Sequence, residues 1–126
     1  MTFTILLVDD EELVRKAVCR EIRKLKVEIV QATNAEEALE LGPEKFDLLI
    51  TDNNMPGITG LELIGRIKKE YPNLAAIIYS AMLSPKDVPP GIMFIAKPWD
   101  DGEMRDKISQ VLAAKAIQIF FKAVLK

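Results

Sequence analysis

Residues 47–60 read DLLITDNNMPGITG and are the most informative segment of the chain about its fold. An apolar run of strand length, residues 48–51, ends on Asp52, and a turn around Pro56 leads to a helical pattern that begins at Leu61. A buried strand that ends in a polar loop and continues into an amphipathic helix is the repeating unit of a parallel sheet. The stretch therefore predicts a strand, a loop that carries chemistry and a covering helix.

The same alternation of strand and helix runs along the rest of the chain. Nearly continuous runs of Val, Ile and Leu predict buried strands, and apolar residues at helical spacing predict the helices between them. The strands are predicted at 5–8, 27–30, 47–51, 75–79 and 93–96, and the helices at 12–24, 34–41 and 61–71, with one long helix after the fifth strand. We expect a doubly wound α/β domain with one five-stranded parallel sheet.

The composition fits a single domain and excludes several kinds of site. The 126 residues are 49% hydrophobic with a net charge of −2, which is enough for a core and does not favour nucleic-acid binding. There is no histidine, which excludes histidine triads, histidine metal ligands and a phosphohistidine on this chain. Cys19 is the only cysteine, and the longest apolar run is too short to span a bilayer, so we expect a cytoplasmic protein without a transmembrane segment.

Polar residues follow four of the five predicted strands. Asp9 and Asp10 follow the first strand, Asp52 the third, Ser80 the fourth and Lys97 the fifth. The carboxyl ends of parallel strands lie at one edge of the sheet, so these side chains should converge. Each pair of carboxylates repels by about 4 kcal/mol at a separation of about 4 Å and an effective dielectric near 20. A retained proton, or a lysine together with a divalent cation, would relieve this repulsion, and oxygen ligands favour Mg²⁺.

At these positions the chain resembles the receiver domains of bacterial two-component response regulators. The matching segments are VDDE at 8–11, DNNMPGITG at 52–60, SA at 80–81 and FIAKP at 94–98. The resemblance covers about residues 3–112 and implies a CheY-like (flavodoxin-like) fold with strand order 2-1-3-4-5 and a receiver domain over 1–112. It also implies a signalling domain in a phosphorelay rather than an enzyme, with a sensor histidine kinase or a phosphotransfer protein as its partner.

The resemblance assigns a role to each acidic residue. Asp52 would accept the phosphoryl group, and its carboxylate needs no general base because it is already ionised at neutral pH. Asp10, Asp52 and the backbone carbonyl of Asn54 would bind Mg²⁺ directly, and Asp9 would act through water.

The resemblance also implies how the phosphoryl group is held and sensed. Lys97 and Ser80 would contact the phosphoryl oxygens. Ser80 and Phe94 would form the switch that relays phosphorylation to a partner, and the Lys97–Pro98 peptide bond is commonly cis in this family.

Residues 81–92 depart from the family pattern. They contain Pro85, Pro89 and Pro90, and each proline inside a helix costs about 3 kcal/mol. We expect the helix between the fourth and fifth strands to be cut to about a turn or to be missing. The surface that relatives use for output is therefore expected to differ here.

In the final predicted helix, the apolar residues move to the opposite side of the helix after residue 112. One apolar stripe consists of Met104, Ile108, Val111 and Leu112. The opposite side then carries Ile117, Phe120, Phe121 and Val124. One straight helix cannot bury both stripes against one domain, so it either breaks near Ala114 or projects as an interaction helix. We interpret 113–126 as a C-terminal helical extension that pairs with another helix, most simply in a homodimer and otherwise with a different partner, with a membrane-surface helix as the alternative.

Two other functions fit parts of the pattern. The first is a receiver-like interaction module that works without phosphorylation. The second is a phosphatase of the haloacid dehalogenase type, but that class has a second aspartate two residues after the nucleophile, where this chain has Asn54. Too few residues follow 112 for a DNA-binding effector domain, so we expect no direct DNA binding by this chain.

Overall fold

The computed structural model describes residues 2–125 and contains one five-stranded, all-parallel sheet. Its strands are β1 (Phe3–Val8), β2 (Val27–Ala32), β3 (Leu48–Asp52), β4 (Ala75–Ser80) and β5 (Met93–Ala96). They pair in the order β2-β1-β3-β4-β5. The predicted fold class and strand order are confirmed.

Four helices connect or follow these strands. They are α1 (Glu12–Ile22), α2 (Ala35–Glu40), α3 (Gly60–Glu70) and α4 (Glu103–Val124). The Asn34 side chain accepts a 2.8 Å hydrogen bond from the Glu37 amide and so caps α2. Helix α1 ends at Ile22, two residues earlier than predicted, because the Leu25 amide already bonds back to the Ile22 carbonyl in a tight turn.

The sheet separates two apolar layers. Along β1, Leu6 and Val8 face the layer that contains α2 and α3, whereas Ile5 and Leu7 face the layer that contains α1 and α4. Side chains alternate across a strand, so a strand buried on both faces is apolar at every position. This arrangement leaves the carboxyl ends of the strands as the place where polar side chains gather.

The connection between β4 and β5 contains no α-helix in the described chain. Its regular structure is one 3₁₀ turn, Pro85–Asp87, which Ser84 and Asp87 cap reciprocally. The predicted loss of the helix is confirmed, and the prolines at 85, 89 and 90 are its cause.

Helix α4 continues without a break across residue 112. Met104, Ile108 and Leu112 are buried against the sheet, and beyond them the helix projects. Of the two predicted outcomes, projection is therefore the one observed. No helix among residues 2–125 is both long enough and apolar enough to cross a membrane.

Candidate functional site

Three carboxylates gather at the carboxyl edge of the sheet. One oxygen each from Asp9, Asp10 and Asp52 lies within 4.8 Å of the other two. Asp9 and Asp10 follow β1, and Asp52 ends the neighbouring strand β3, so the strand order itself brings them together. Asp9 and Asp52 are buried, whereas Asp10 is exposed at the rim. The predicted acidic cluster is present.

Asp52 carries the least satisfied polar atom of this pocket. Its side chain is almost fully buried, and its Oδ1 atom accepts no hydrogen bond from the described residues. The Lys97 Nζ atom lies 3.5 Å from this oxygen, as an ion-pair contact. Buried polar atoms are normally satisfied, so an unsatisfied carboxylate oxygen in a charged pocket marks a position where another group can bind.

The surroundings of Asp52 neutralise the negative charge of its carboxylate only in part. Burial raises the pKa of Asp52, the Lys97 ammonium group lowers it, and the Asp9 carboxylate raises it further. The net direction is upward, because desolvation outweighs the single cation. A cation added to this pocket would favour the ionised form of the carboxylate.

Asp9 is held by hydrogen bonds from two directions. The Glu11 amide donates to its Oδ1 atom at 2.9 Å, and the Tyr79 hydroxyl donates to its Oδ2 atom at 2.6 Å. Burial and the Asp9 carboxylate raise the pKa of Tyr79 far above its usual range, so the phenol keeps its proton and acts as the donor. Arg15 donates a 2.6 Å hydrogen bond to the Asp9 carbonyl from α1. Asp9 therefore has a fixed position before any ligand binds.

Lys97 reaches Asp52 across the ring of Tyr79. Its Nζ atom lies 5.2 Å from the ring centroid, within cation–π range, and Trp99 packs edge-on against the same ring at 5.4 Å. The Trp99 indole donates to Glu21 at 2.8 Å, which fixes the indole against α1. The Lys97–Pro98 peptide bond is cis, in agreement with the resemblance.

Ser80 and Phe94 occupy neighbouring strands beside the pocket. Ser80 ends β4 and its Oγ atom accepts hydrogen bonds from the Met82 and Leu83 amides, at 2.9 and 3.2 Å. The hydroxyl hydrogen is therefore free to turn towards an acceptor in the pocket. Phe94 is half-buried and packs against the apolar layer that also contains Leu83.

The loop after Asp52 is held by Asn53. The Asn53 side chain accepts a 3.0 Å hydrogen bond from the Leu61 amide, and its carbonyl accepts one from Gly60. A Cβ atom at Gly60 would lie 2.3 Å from the Asp52 carbonyl oxygen, so this position requires glycine. Asn54 is exposed beside the pocket.

The sequence-based interpretation missed Tyr79, Arg15 and Asn53. The sequence pattern identifies Tyr79 only as the last residue of the predicted strand 75–79. A buried tyrosine hydroxyl needs a hydrogen-bond partner, and β4 ends at the same edge as Asp9, so a signal was present. No comparable signal identified Arg15, because an arginine on an amphipathic helix normally faces solvent.

The chain is thus a doubly wound α/β domain with an acidic pocket at the carboxyl edge of its sheet and a lysine beside that pocket. The response regulator receiver domain family matches residues 5–109. The chain belongs to this family.

Individual relatives agree with this assignment. Sporulation initiation phosphotransferase F of Bacillus subtilis is 30% identical over 122 residues, which cover 92% of this chain and 98% of that protein. A cyclic di-GMP phosphodiesterase of Thermotoga maritima is 28% identical over 98% of this chain and 34% of its own length. The crystal structure of a two-component transcriptional regulator AraC from Clostridium phytofermentans ISDg is 32% identical with a TM-score of 0.77, covering 90% of this chain and 98% of that chain. The chain spans about a third or less of the length of several curated relatives.

The family establishes the general role of the chain. Receiver domains are signalling domains of two-component systems that interact with histidine kinases or phosphotransfer proteins and bind Mg²⁺ at an acidic pocket. The site suits that ion because its three carboxylates offer oxygen donors, which Mg²⁺ prefers, within 4.8 Å of one another.

Proposed function

We propose that this receiver domain accepts a phosphoryl group on Asp52 in an Mg²⁺-dependent reaction and thereby changes its interaction with a partner. The observation that supports the proposal is the buried, unsatisfied Oδ1 atom of Asp52, 3.5 Å from the Lys97 ammonium group. The donor is a histidine kinase or a phosphotransfer protein, because this chain has no histidine to carry the phosphoryl group itself.

Asp52 acts as the nucleophile. One carboxylate oxygen forms a bond to phosphorus while the bond from phosphorus to the donor's imidazole breaks. Phosphoryl transfer depends mainly on positioning and on stabilising charge. Lys97 binds the phosphoryl oxygens and keeps Asp52 oriented through their existing contact.

The acidic residues of the pocket would hold the metal. Asp10, Asp52 and the backbone carbonyl of Asn54 would bind Mg²⁺ directly, and Asp9 would act through water. Bound Mg²⁺ supplies positive charge against the carboxylates and the incoming phosphoryl oxygens. Tyr79 keeps the Asp9 carboxylate in place through its 2.6 Å hydrogen bond.

Ser80 and Phe94 carry the signal away from the site. The Ser80 hydroxyl turns its hydrogen towards a phosphoryl oxygen, and movement of Ser80 frees space into which Phe94 turns. The loop at 81–92 lies between them in sequence, and its two amide hydrogen bonds to Ser80 make it the segment most directly changed by phosphorylation. The cytoplasmic location expected from the sequence stays a prediction.

Acetyl phosphate with Mg²⁺ tests the proposal. Intact-protein mass spectrometry should show the gain of one phosphoryl group in the wild type and in Asp101→Asn, an exposed loop aspartate that serves as the matched control. The gain should be absent in Asp52→Asn and in wild type treated with EDTA. Beryllofluoride should change the fluorescence of Trp99, which packs on the Tyr79 ring beside Lys97.

Two outcomes would contradict the proposal. No mass gain and no fluorescence change in any variant would favour the interaction module that works without phosphorylation. Continuous release of phosphate from small phosphate esters, lost in Asp52→Asn, would favour the phosphatase.

A further inference from the structure

The second half of α4 presents an apolar face that is mostly exposed to solvent. The side chains on this face are between 53% and 61% exposed, and they are Ile117, Phe120, Phe121 and Val124. Contiguous exposed apolar surface of this kind marks an interaction site. The first half of the same helix is buried against the sheet, so the exposed part is anchored to a rigid body.

The spacing of these residues is that of a coiled-coil seam. Ala113, Ile117, Phe120 and Val124 follow one another at intervals of four, three and four residues, which is the alternation of core positions in a heptad repeat. We call these four residues the seam. At about 100° per residue they lie within about 60° of one another, and about 160° from the stripe that packs on the sheet. A second helix can therefore approach the seam without meeting the body of the domain.

The charges beside the seam permit two identical helices to pair. The positions that flank the seam carry only apolar residues. They are Ala114 and Phe121 on one side, and Ala116 and Ala123 on the other. Lys115 and Lys122 occupy the outermost position of the heptad, on the far side of the helix from the seam. Parallel pairing of two copies thus brings no like charges together across the interface.

We propose that residues 113–124 pair with the same segment of a second copy as a short parallel coiled coil. With about 200 Å² for a whole phenylalanine, the seam and Phe121 expose on the order of 500 Å² per copy. Two copies would bury about 1,000 Å², the lower limit for a specific interface, so we expect a weak, reversible dimer.

Pairing leaves the acidic pocket open. Lys115 contacts Asp47, the residue before β3, with Nζ 3.5 Å from Oδ1, whereas Asp52 ends that strand at the opposite edge of the sheet. The seam lies beyond Lys115, and so at the end of the domain remote from the pocket. The dimer is therefore independent of phosphorylation and of the proposed function, and it would hold two pockets accessible to their donors at once.

Light scattering after size-exclusion chromatography tests the pairing on the full chain. Over roughly 1–200 μM, the wild-type mass should rise from 14.1 kDa towards twice that value. Phe120→Glu should stay monomeric, whereas Gln118→Glu, which places the same charge on an exposed position outside the seam, should behave as wild type. Circular dichroism shows whether both variants keep the helix.

A crosslink tests the parallel register. In a Cys19→Ser background, Val124→Cys should oxidise to a covalent dimer, because parallel pairing places the two copies of position 124 side by side. A wild type that stays monomeric throughout the range, a dimer that survives Phe120→Glu, or a dimer that does not crosslink would each overturn the proposal. So would a monomer whose α4 binds vesicles of anionic lipid, since the apolar face would then be a membrane-surface helix.

Discussion

Replacing Tyr79 with phenylalanine removes one buried oxygen atom and should lower the free energy of unfolding by about 2 kcal/mol. The lost bond is the 2.6 Å hydrogen bond to the Oδ2 atom of Asp9, a carboxylate with no exposed surface. A hydrogen bond to a charged group contributes about 1.5–3 kcal/mol, and a buried acceptor that loses its donor keeps its desolvation cost. The ring itself stays, so the packing against Trp99 is retained.

The magnitude translates into a measurable melting shift. At about 2.1 cal/mol/K per residue, the unfolding entropy of 126 residues is about 0.26 kcal/mol/K, so 2 kcal/mol corresponds to a fall in Tm of about 7–8 °C. Thermal and urea unfolding should be followed in EDTA, so that no metal compensates for the lost donor. Unchanged Trp99 fluorescence in the folded variant would show that the aromatic packing is intact.

Tyr71→Phe is the matched control for this prediction. Tyr71 lies at the end of α3 and is 39% exposed, so loss of its hydroxyl should change stability by less than about 0.5 kcal/mol. If Tyr79→Phe unfolds at the wild-type temperature, or if both variants lose the same stability, the hydrogen bond to Asp9 does not hold the pocket together as described.

The remaining predictions concern the charge of the pocket and the backbone beside it. Because the pKa of folded Asp52 is raised above 3.8, ionising this group destabilises the fold, and its contribution to stability is present below about pH 4 and lost as the pH rises through the folded pKa. Asp52→Asn should therefore be more stable than wild type at pH 7 in EDTA, and the difference in urea unfolding should shrink towards pH 4; a difference independent of pH would contradict this. Gly60→Ala should lose about 3 kcal/mol or more, because its Cβ atom would lie 2.3 Å from the Asp52 carbonyl oxygen. Gly65→Ala on the same helix meets nothing within 4 Å and should gain about 1 kcal/mol in thermal unfolding, and equal effects at the two glycines would refute the steric explanation.

The strands and the edge at which the acidic residues meet could be predicted because both follow from local patterns. An apolar run that ends on an aspartate locates the end of a strand, and the carboxyl ends of parallel strands always lie at one edge. The three prolines of 81–92 likewise predict a missing helix without knowledge of any neighbour. The predicted end of α1 is two residues too late, because its last turn depends on where the chain must bend into β2.

Two features of the site depended on contacts between distant segments. Tyr79 and Asp9 are 70 residues apart in the chain. Their hydrogen bond exists because β1 and β4 lie on either side of β3 and end at the same edge of the sheet. The second feature is the unsatisfied oxygen of Asp52, which ends β3. Its 3.5 Å contact with Lys97, which follows β5, is set by how these two strands are placed in the sheet.

The apolar positions, the alternation of strands and helices, and the polar residues at strand ends can all be read from short segments of the chain. The atoms that meet in the pocket, and the continuation of α4 beyond Leu112, follow instead from how the segments pack together. The physical reason is that hydrogen bonds and ion pairs depend on distances of a few tenths of an ångström, which the packing of the whole domain sets.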